Sequence, residues 1–356
     1  MQPLVSVTIV TYNSSRFIGA CLESLFAQNY SPLEIIVVDN ASRDGTVGIL
    51  TPYADRIRLL WNERNLGFCA AQNRAIGEAG GQWVLSLNPD VILGPHFISR
   101  LVEAALTDVT IGTACGRLLA MPATLEIPAQ ARIDSAGLYF TPLLRHFDRG
   151  CQQPDNGEYS RAEYVFGSTA AAALYRREMI ADISPEGEFF DEDFFAYRED
   201  ADVAWRAQLL GWKCLYVPEA RGYHVRTAQP GNRAALAPEI NMHSVKNRFL
   251  MRIKNITAGL YLRHLLPITA RDLCVVGYCL LVEHTSLEAF RLLRGMWRRA
   301  LAKRRWILKR RRVSDRDLAR WFRYRPVAEP VPQSPFSVAA PSARLGKPLS
   351  GMATRP

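Results

Sequence analysis

Short apolar runs alternate with amphipathic stretches along the first hundred residues. Four runs rich in β-branched or bulky apolar side chains predict strands; they span residues 4–11, 33–38, 57–61 and 83–88, and the first and last are typical of buried strands. The stretches between them place apolar residues three and four apart, which indicates helices with one buried side. Strands and helices that alternate in this way predict an α/β domain with a parallel sheet built from right-handed crossovers.

Polar side chains gather where these strands end. Because parallel strands present their carboxyl ends at one edge of a sheet, we expect these clusters to share the edge at which open α/β sheets bind ligands. Pro89 cannot donate to a sheet ladder, so it ends the fourth strand and leaves Asp90 on the turn beyond it. From the pattern alone Asp90 is either a ligand for a metal ion or the N-cap of a helix at 95–106.

The second half of the chain is less regular. Residues 110–175 predict mixed sheet and loops, with 164–175 as a late strand, and an acidic run with interleaved aromatic residues occupies 186–202. A helix to about Leu210, a strand at 213–217 and a loop with His224 follow in the prediction. Beyond His224 the pattern indicates helices.

The formal net charge of +10 is concentrated in one late segment. Residues 291–325 contain 15 Lys and Arg against 2 acidic residues, whereas residues 1–290 have 31 acidic residues against 26 basic ones. Basic residues interleaved with apolar ones predict an amphipathic helix attracted to anionic lipid. The uneven distribution argues against nucleic-acid binding by the whole protein, although the basic segment keeps that alternative open. Residues 326–356 are rich in Pro, Ser and Ala and are predicted to be disordered.

The cysteines, the N-terminal run and the nucleotide-binding motifs that the sequence lacks indicate a cellular compartment and argue against several kinds of site. Seven scattered cysteines without CxxC spacing argue against a disulfide framework and a zinc site and favour a reducing compartment. The chain begins with an apolar, β-branched run and no basic region, so we expect no signal peptide. We also expect no dinucleotide or P-loop site, because neither GxGxxG nor GxxxxGK[ST] occurs. The expected location is cytoplasmic, with peripheral contact at the inner face of the cell membrane.

Five sequence markers occur in one order and carry a family resemblance. They are Thr11-Tyr12-Asn13, the stretch 38–45 (VDNASRDG), Asn65-Leu66-Gly67-Phe68, Leu87-Asn88-Pro89-Asp90, and the stretch 194–202 (FFAYREDAD). Together they resemble the family 2 glycosyltransferases, most closely the rhamnosyltransferase-like branch. The resemblance implies a GT-A fold, Rossmann-like with a mostly parallel central sheet and helices on both faces. It implies a catalytic domain at 1–255, followed by a helical, basic extension at 256–325.

The resemblance also implies an activity and a set of site residues. A family member transfers a sugar from a nucleotide-sugar donor to a hydroxyl, with inversion and the help of Mg²⁺ or Mn²⁺. Asp200 would be the general base, and Asp90 with His224 would hold the metal ion. Donor contacts are expected from Thr11, Asn13, Asp39, Asn65, Gly67, Asn73 and Asn88. Contacts with the acceptor or the diphosphate are assigned to Glu199, Asp202, Tyr197, Arg206 and Arg226, with Lys246, Asn247 and Arg248 as an alternative at the diphosphate.

The chemistry of the reaction accounts for these residue types. Hard oxygen ligands suit Mg²⁺ and Mn²⁺, and a carboxylate within hydrogen-bond reach can take the proton of the attacking hydroxyl. Asn88 stands where the common motif has a first acidic residue, so we expect the metal to enter chiefly with the donor. dTDP-rhamnose is the favoured donor and a glycan or lipid-linked glycan the expected acceptor; the alternative donor is a UDP-sugar that carries a different sugar. A sugar-phosphate nucleotidyltransferase is disfavoured, because no glycine-rich basic loop follows the first strand.

Overall fold

The computed structural model describes residues 2–226 and 237–331. Its strands are β1 Val5–Thr11, β2 Leu33–Asp39, β3 Arg58–Trp61, β4 Trp83–Leu87, β5 Val91–Leu93, β6 Ile111–Ala120, β7 Ile133–Ser135, β8 Leu138–Phe140, β9 His146–Asp148, β10 Glu163–Val165, β11 Ala172–Arg176, β12 Lys213–His224 and β13 Glu329–Pro330. Its α-helices are α1 Ile18–Phe26, α2 Thr46–Leu50, α3 Phe68–Glu78, α4 Phe97–Ala105, α5 Arg177–Ile183, α6 Glu199–Leu209, α7 Pro238–Asn255, α8 Ala258–Arg263, α9 Leu265–Leu281, α10 Glu288–Arg310 and α11 Asp315–Ala319.

One mixed sheet forms the centre of the molecule. Its strand order is β13-β10-β12-β6-β11-β4-β1-β2-β3, with β5 paired to β12 and β7 paired to β6. The strands β3, β2, β1 and β4 are mutually parallel, as predicted, and β12 runs parallel to β6. Strand β11 lies antiparallel between β4 and β6 and joins the two parallel parts. Strands β8 and β9 form a separate hairpin.

Both faces of the sheet are covered. Within β4, Trp83, Leu85 and Leu87 belong to a core shared with α1 and α4, whereas Val84 points into the core that contains α6. Alternate residues of a fully buried strand therefore serve opposite cores, which explains why this strand has no polar alternation in the sequence.

Two local predictions are wrong, and one of the two alternatives for Asp90 is excluded. The run at 164–175 forms two strands, β10 and β11, which pair at different places in the sheet. His224 ends a long strand rather than lying in a loop, because β12 continues past Pro218 through a register shift. Asp90 does not cap the next helix, whose N-cap residue is His96.

The basic segment packs against the body of the protein. On α10 the buried side chains Leu293, Ala300 and Ile307 belong to the same core as Trp205 of α6. This packing takes the apolar side of α10 away from any membrane. At the start of the tail predicted to be disordered, β13 pairs with β10, so that prediction is wrong for this stretch; residues 332–356 lie outside the described residues.

None of the helices in the described part of the chain has both the length and the hydropathy needed to cross a membrane. All seven cysteines are free thiols.

Candidate active site

The carboxyl ends of β1 and β2 bring the first candidate donor residues together. Thr11 and Asp39 are register partners, and the Thr11 hydroxyl donates to Asp39 Oδ1 over 2.9 Å. The other carboxylate oxygen accepts the backbone N–H of Ser42 at 3.0 Å. Asn13 closes the same corner, because its side-chain oxygen accepts the backbone N–H of Arg43 at 2.8 Å. The structure thus groups Thr11, Asn13 and Asp39 as expected.

The loop after β3 is shaped by a buried asparagine. Asn40 donates from its side chain to Asn65 Oδ1 at 2.8 Å, and its own side-chain oxygen accepts the backbone N–H of Leu66 at 3.0 Å. Gly67 has a φ of 85°, and a Cβ there would lie 2.5 Å from Phe195 Cδ2. Only glycine fits this position. Asn40 therefore holds the loop in shape, and Gly67 lets it contact the segment that leads to Asp200.

Asn73 bonds to the backbone of the acidic segment. Its side-chain amide donates to the carbonyl of Phe190 at 2.7 Å, and its oxygen accepts the backbone N–H of the same residue at 2.9 Å. Both ends of the amide are thus committed to anchoring the acidic segment on α3. Its predicted contact with the donor stays a prediction.

Asp90 and His224 meet because β5 pairs with β12. His224 is the register partner of Val91, and the backbone N–H of Val225 donates to the carbonyl of Asp90 at 3.1 Å. This pairing sets His224 Nε2 3.4 Å from Asp90 Oδ1. Asn88, half-buried, lies between β4 and Asp90 on the same turn.

Asp134, the middle residue of β7, orients the histidine. Its Oδ2 lies 2.8 Å from His224 Nδ1, and its side chain is 1% exposed. Burial by itself lowers the pKa of His224, but the hydrogen bonds to Asp134 and Asp90 outweigh it and raise the pKa to about 9. No local pattern signals Asp134, because its partner is ninety residues away in the chain.

Arg226 links this pair to a further carboxylate. Its Nε lies 2.8 Å from Asp134 Oδ1, and its terminal nitrogen lies 2.8 Å from Asp148 Oδ2. Burial raises the pKa of Asp148, and the charge of Arg226 opposes that rise. A contact from Arg226 to the diphosphate stays a prediction.

Asp200 lies in the first turn of α6, after a distorted stretch of backbone. Phe195, Tyr197 and Arg198 have φ values of 67°, 71° and 69°, a conformation that non-glycine residues rarely adopt and that concentrates at functional sites. Burial and the nearby charge of Asp148 raise the pKa of Asp200 to about 6. Burial and the charge of Asp200 raise the pKa of its neighbour Glu199 to about 8.

Two residues assigned to the acceptor are structural instead. Asp202 and Arg206 have no exposed surface, and Arg206 Nε lies 2.8 Å from Asp202 Oδ2. Lys254 approaches the same oxygen at 3.0 Å, and the Asn255 side chain donates to Oδ1 at 2.7 Å. The acceptor contacts predicted for Asp202 and Arg206 are therefore wrong. Tyr197 and Glu199 stay candidates, because the exposed Tyr197 and the half-buried Glu199 flank Asp200.

The cluster 246–248 of α7 is also structural. Lys246 donates to the carbonyl of Phe194, and Asn247 donates to the carbonyls of Ala196 and Tyr197 at 2.8 and 2.7 Å. Arg248 is buried and pairs with Asp272 at 3.2 Å. These contacts leave the cluster no role at the diphosphate and instead fix the backbone that precedes Asp200.

The side chains of Asp90 and His224 suit a cation that a bound ligand also coordinates. Among the described residues no three His, Cys, Asp or Glu side chains converge on a metal position. Asp90 and His224 supply two side chains, and the contact with Asp134 directs the Nε2 side of the imidazole toward Asp90. A carboxylate that holds the second nitrogen of a histidine ligand is the usual arrangement around protein-bound metals.

Known proteins resemble this chain in sequence and in fold. The model of Glycosyl transferase family 2 matches residues 6–183. N-acetylglucosaminyl-diphospho-decaprenol L-rhamnosyltransferase of Mycobacterium tuberculosis is 29% identical over 66% of this chain and 80% of its own length. Succinoglycan biosynthesis protein ExoO of Rhizobium meliloti is 36% identical over 29% of this chain and 30% of its own.

Two solved structures share the fold. S. aureus TarS 1-349 in complex with UDP-GlcNAc aligns with a TM-score of 0.53 at 18% identity, over 86% of this chain and 89% of that one. GalNAc-T7 with UDP, GalNAc and Mn²⁺ aligns with a TM-score of 0.54 at 17% identity, over 71% of this chain and 49% of that one. The chain therefore has the GT-A fold and belongs to glycosyltransferase family 2, as an enzyme similar to the rhamnosyltransferases of that family.

Proposed function

We propose that the protein transfers a sugar from a nucleoside diphosphate to a hydroxyl of a glycan or lipid-linked acceptor, with inversion at the anomeric carbon. In this reaction the acceptor oxygen bonds to the anomeric carbon while the bond from that carbon to the diphosphate oxygen breaks. The proton of the hydroxyl passes to a base on the enzyme.

Asp200 is the base in this proposal. The observation that carries it is a continuous series of contacts from Asp90 through His224, Asp134 and Arg226 to Asp148, whose charge acts on Asp200. The groups for the leaving diphosphate and for the proton thus belong to one cluster. A pKa of about 6 leaves Asp200 ionised at neutral pH and still more basic than an ordinary aspartate.

Asp90 and His224 would hold Mg²⁺ or Mn²⁺ against the diphosphate. When bound, the cation stabilises the negative charge that develops on the leaving group. One carboxylate and one imidazole make a weak site by themselves, so the diphosphate oxygens complete it. Calorimetric titration of Mn²⁺ without nucleotide should accordingly show no micromolar binding.

Thr11, Asn13 and Asp39 would line the nucleoside pocket, with Asn65, Gly67 and Asn88 close to the nucleotide. Similarity to an L-rhamnosyltransferase favours dTDP-rhamnose as donor and a lipid diphosphate-linked acceptor. A UDP-sugar is the alternative, since the related TarS structure contains UDP-GlcNAc.

Replacement of the base tests the proposal. Asp200→Asn should lower transfer below about one per cent of wild type, because a missing general base costs roughly 10²–10⁴-fold. The variant should keep the affinity for nucleoside diphosphate with Mn²⁺, and a thermal-shift panel of dTDP, UDP and GDP identifies the preferred base.

The matched control is Glu178→Gln, which removes an exposed carboxylate from the first turn of α5 and should leave transfer unchanged. Retained turnover in Asp200→Asn would move the base elsewhere.

A further inference from the structure

An apolar surface on α8 and α9 faces outward with no partner among the described residues. The described residues include nineteen large apolar side chains that are exposed, and nine of them fall within 261–282. Its members, which we call the α8–α9 face, are Tyr261, Leu262, Leu265, Leu266, Leu273, Tyr278, Leu280, Leu281 and Val282. So dense a cluster marks an interaction site, whereas single exposed apolar residues elsewhere need no explanation.

Helix α9 exposes large apolar side chains that a surface helix normally buries. Leu266 and Leu281 are each 81% exposed and Leu273 is 68% exposed, and their spacing of seven and eight residues places them on one side. The two charged residues of α9 are half-buried: Arg271, and Asp272, which pairs with Arg248 of α7 at 3.2 Å and with Arg252. The side of α9 that faces the protein thus carries its charged residues together with the buried Ile268 and Cys279, whereas large apolar side chains face outward.

Arginines lie beside one end of this face. Arg263 ends α8 directly after Leu262, and it lines a cleft with Arg316, Arg320 and Arg323. The cleft also contains Asp317 and Ala319. Helix α11 is held against α8 at a close approach, since a Cβ on Gly259 would lie 2.2 Å from Asp315 Oδ2. An apolar face next to a cluster of cations matches the two layers of an anionic bilayer surface, acyl chains and phosphate headgroups.

We propose that the α8–α9 face docks on the surface of an anionic phospholipid bilayer. The leucines enter the boundary between headgroups and acyl chains, and the arginine cleft binds lipid phosphates. A second copy of the chain is a poorer occupant, because a two-fold contact sets the apolar patch against itself and gives no role to the arginine cleft beside one end of the face. The basic helix α10 is not the docking element, because its apolar side is buried in the protein.

The docking face is connected to the candidate base. Helix α7 binds Asp272 of α9 through Arg248, and the adjacent Asn247 donates to the carbonyl of Tyr197, three residues before Asp200. A protein held at the membrane by α9 therefore holds this segment in a fixed relation to the lipid surface. That consequence for a lipid-linked acceptor rests on the proposed function, whereas lipid binding itself does not.

Flotation of the full-length protein with phospholipid vesicles tests the proposal. Wild type should float with vesicles of equal parts phosphatidylcholine and phosphatidylglycerol. The triple variant Leu266→Gln, Leu273→Gln, Leu281→Gln should stay at the bottom of the gradient. Arg316→Gln with Arg323→Gln should lower partitioning about 30-fold on anionic vesicles, as expected for two lost arginine contacts, and much less on phosphatidylcholine alone.

Matched variants separate the face from general hydrophobicity and charge. Leu106→Gln, Val109→Gln and Ile127→Gln together remove three exposed apolar residues elsewhere, and Arg294→Gln with Arg298→Gln removes two exposed arginines of α10. Both variants should float like wild type, and all variants should melt at the wild-type temperature. No flotation of wild type, or loss of binding only in the α10 variant, would overturn the proposal. A dimer in sedimentation velocity that the leucine variant abolishes, without lipid binding, would show a second copy as the occupant.

Discussion

Adjacent carboxylates at the start of α6 have different pKa values. Burial is the largest cause for both, and it raises the pKa of Asp200 to about 6 and that of Glu199 to about 8. Glu199 is thus mostly protonated at neutral pH, and Asp200 carries the negative charge. Two neighbouring acids with separated pKa values can divide the roles of proton donor and proton acceptor.

The pH dependence of transfer follows from this difference. A general base works only when deprotonated, so kcat/KM at saturating Mn²⁺ should fall about tenfold per unit as the pH drops below the Asp200 pKa of about 6. Initial rates of transfer at subsaturating donor measure the profile. Glu199→Gln should keep the same acidic limb, because Glu199 is already neutral in that range. A rate that does not change through the acidic range would contradict Asp200 as the base.

Asp134 should matter through His224 rather than through the substrate. Asp134→Asn weakens the hydrogen bond that orients the imidazole, and loss of such a partner lowers metal affinity roughly 10- to 100-fold. Calorimetric titration of Mn²⁺ in the presence of dTDP or UDP measures this effect without turnover. Asp155→Asn is the matched control, since it removes a comparable ion pair, with Arg117 at 2.9 Å. Equal Mn²⁺ affinities in both variants would limit Asp134 to a structural role.

At the scale of single elements, the sequence predicted best those strands that depend on the local pattern of apolar residues. Strands β1, β2 and β4 are largely buried, whereas β3 lies at the edge of the sheet and is partly exposed. The apolar runs of all four, with their polar ends, are visible without knowledge of their partners. The run at 164–175 is equally apolar, yet it breaks into β10 and β11 because each part pairs with different strands. Such breaks depend on distant pairing and leave no local signal.

The position of His224 was hidden for a similar reason. Proline normally ends a strand, so the prediction stopped β12 at Val217. The strand instead shifts register between Val217 and Arg221 and continues along β6 and β5 as far as His224. The sequence therefore identified the candidate ligand through resemblance but placed it in the wrong kind of element, and it gave no indication of Asp134.

The acidic run at 186–202 also divides in a way that composition cannot show. Asp191 and Asp202 are buried beside Lys254, and Asp193 pairs with Arg299 at 3.0 Å. These carboxylates hold the segment to α7 and α10, which leaves Glu199 and Asp200 for chemistry. The cations that pair with these structural carboxylates, Lys254 and Arg299, come from helices fifty to more than one hundred residues later in the chain.

On the scale of the whole molecule, part of the uneven charge along the sequence is explained by contacts between acidic and basic segments of the protein. The acidic first 290 residues and the basic segment 291–325 meet where α10 lies against the acidic run. Some of the positive charge that suggested lipid or nucleic acid is therefore neutralised within the protein. This packing makes α10 part of the support for the segment that carries Asp200.

Replacement of one buried lysine measures that support. Lys303 is 1% exposed and lies 2.6 Å from Asp191 and 2.9 Å from Glu188. Lys303→Met removes a cation that these carboxylates share and leaves them to Lys254 and Arg299 alone, so we expect a loss of about 3 kcal/mol in the free energy of unfolding, measured by urea denaturation. Lys309→Met, at an exposed position of the same helix, should change it by less than about 0.5 kcal/mol. Equal stability of the two variants would mean that the contact with α10 is dispensable for the fold.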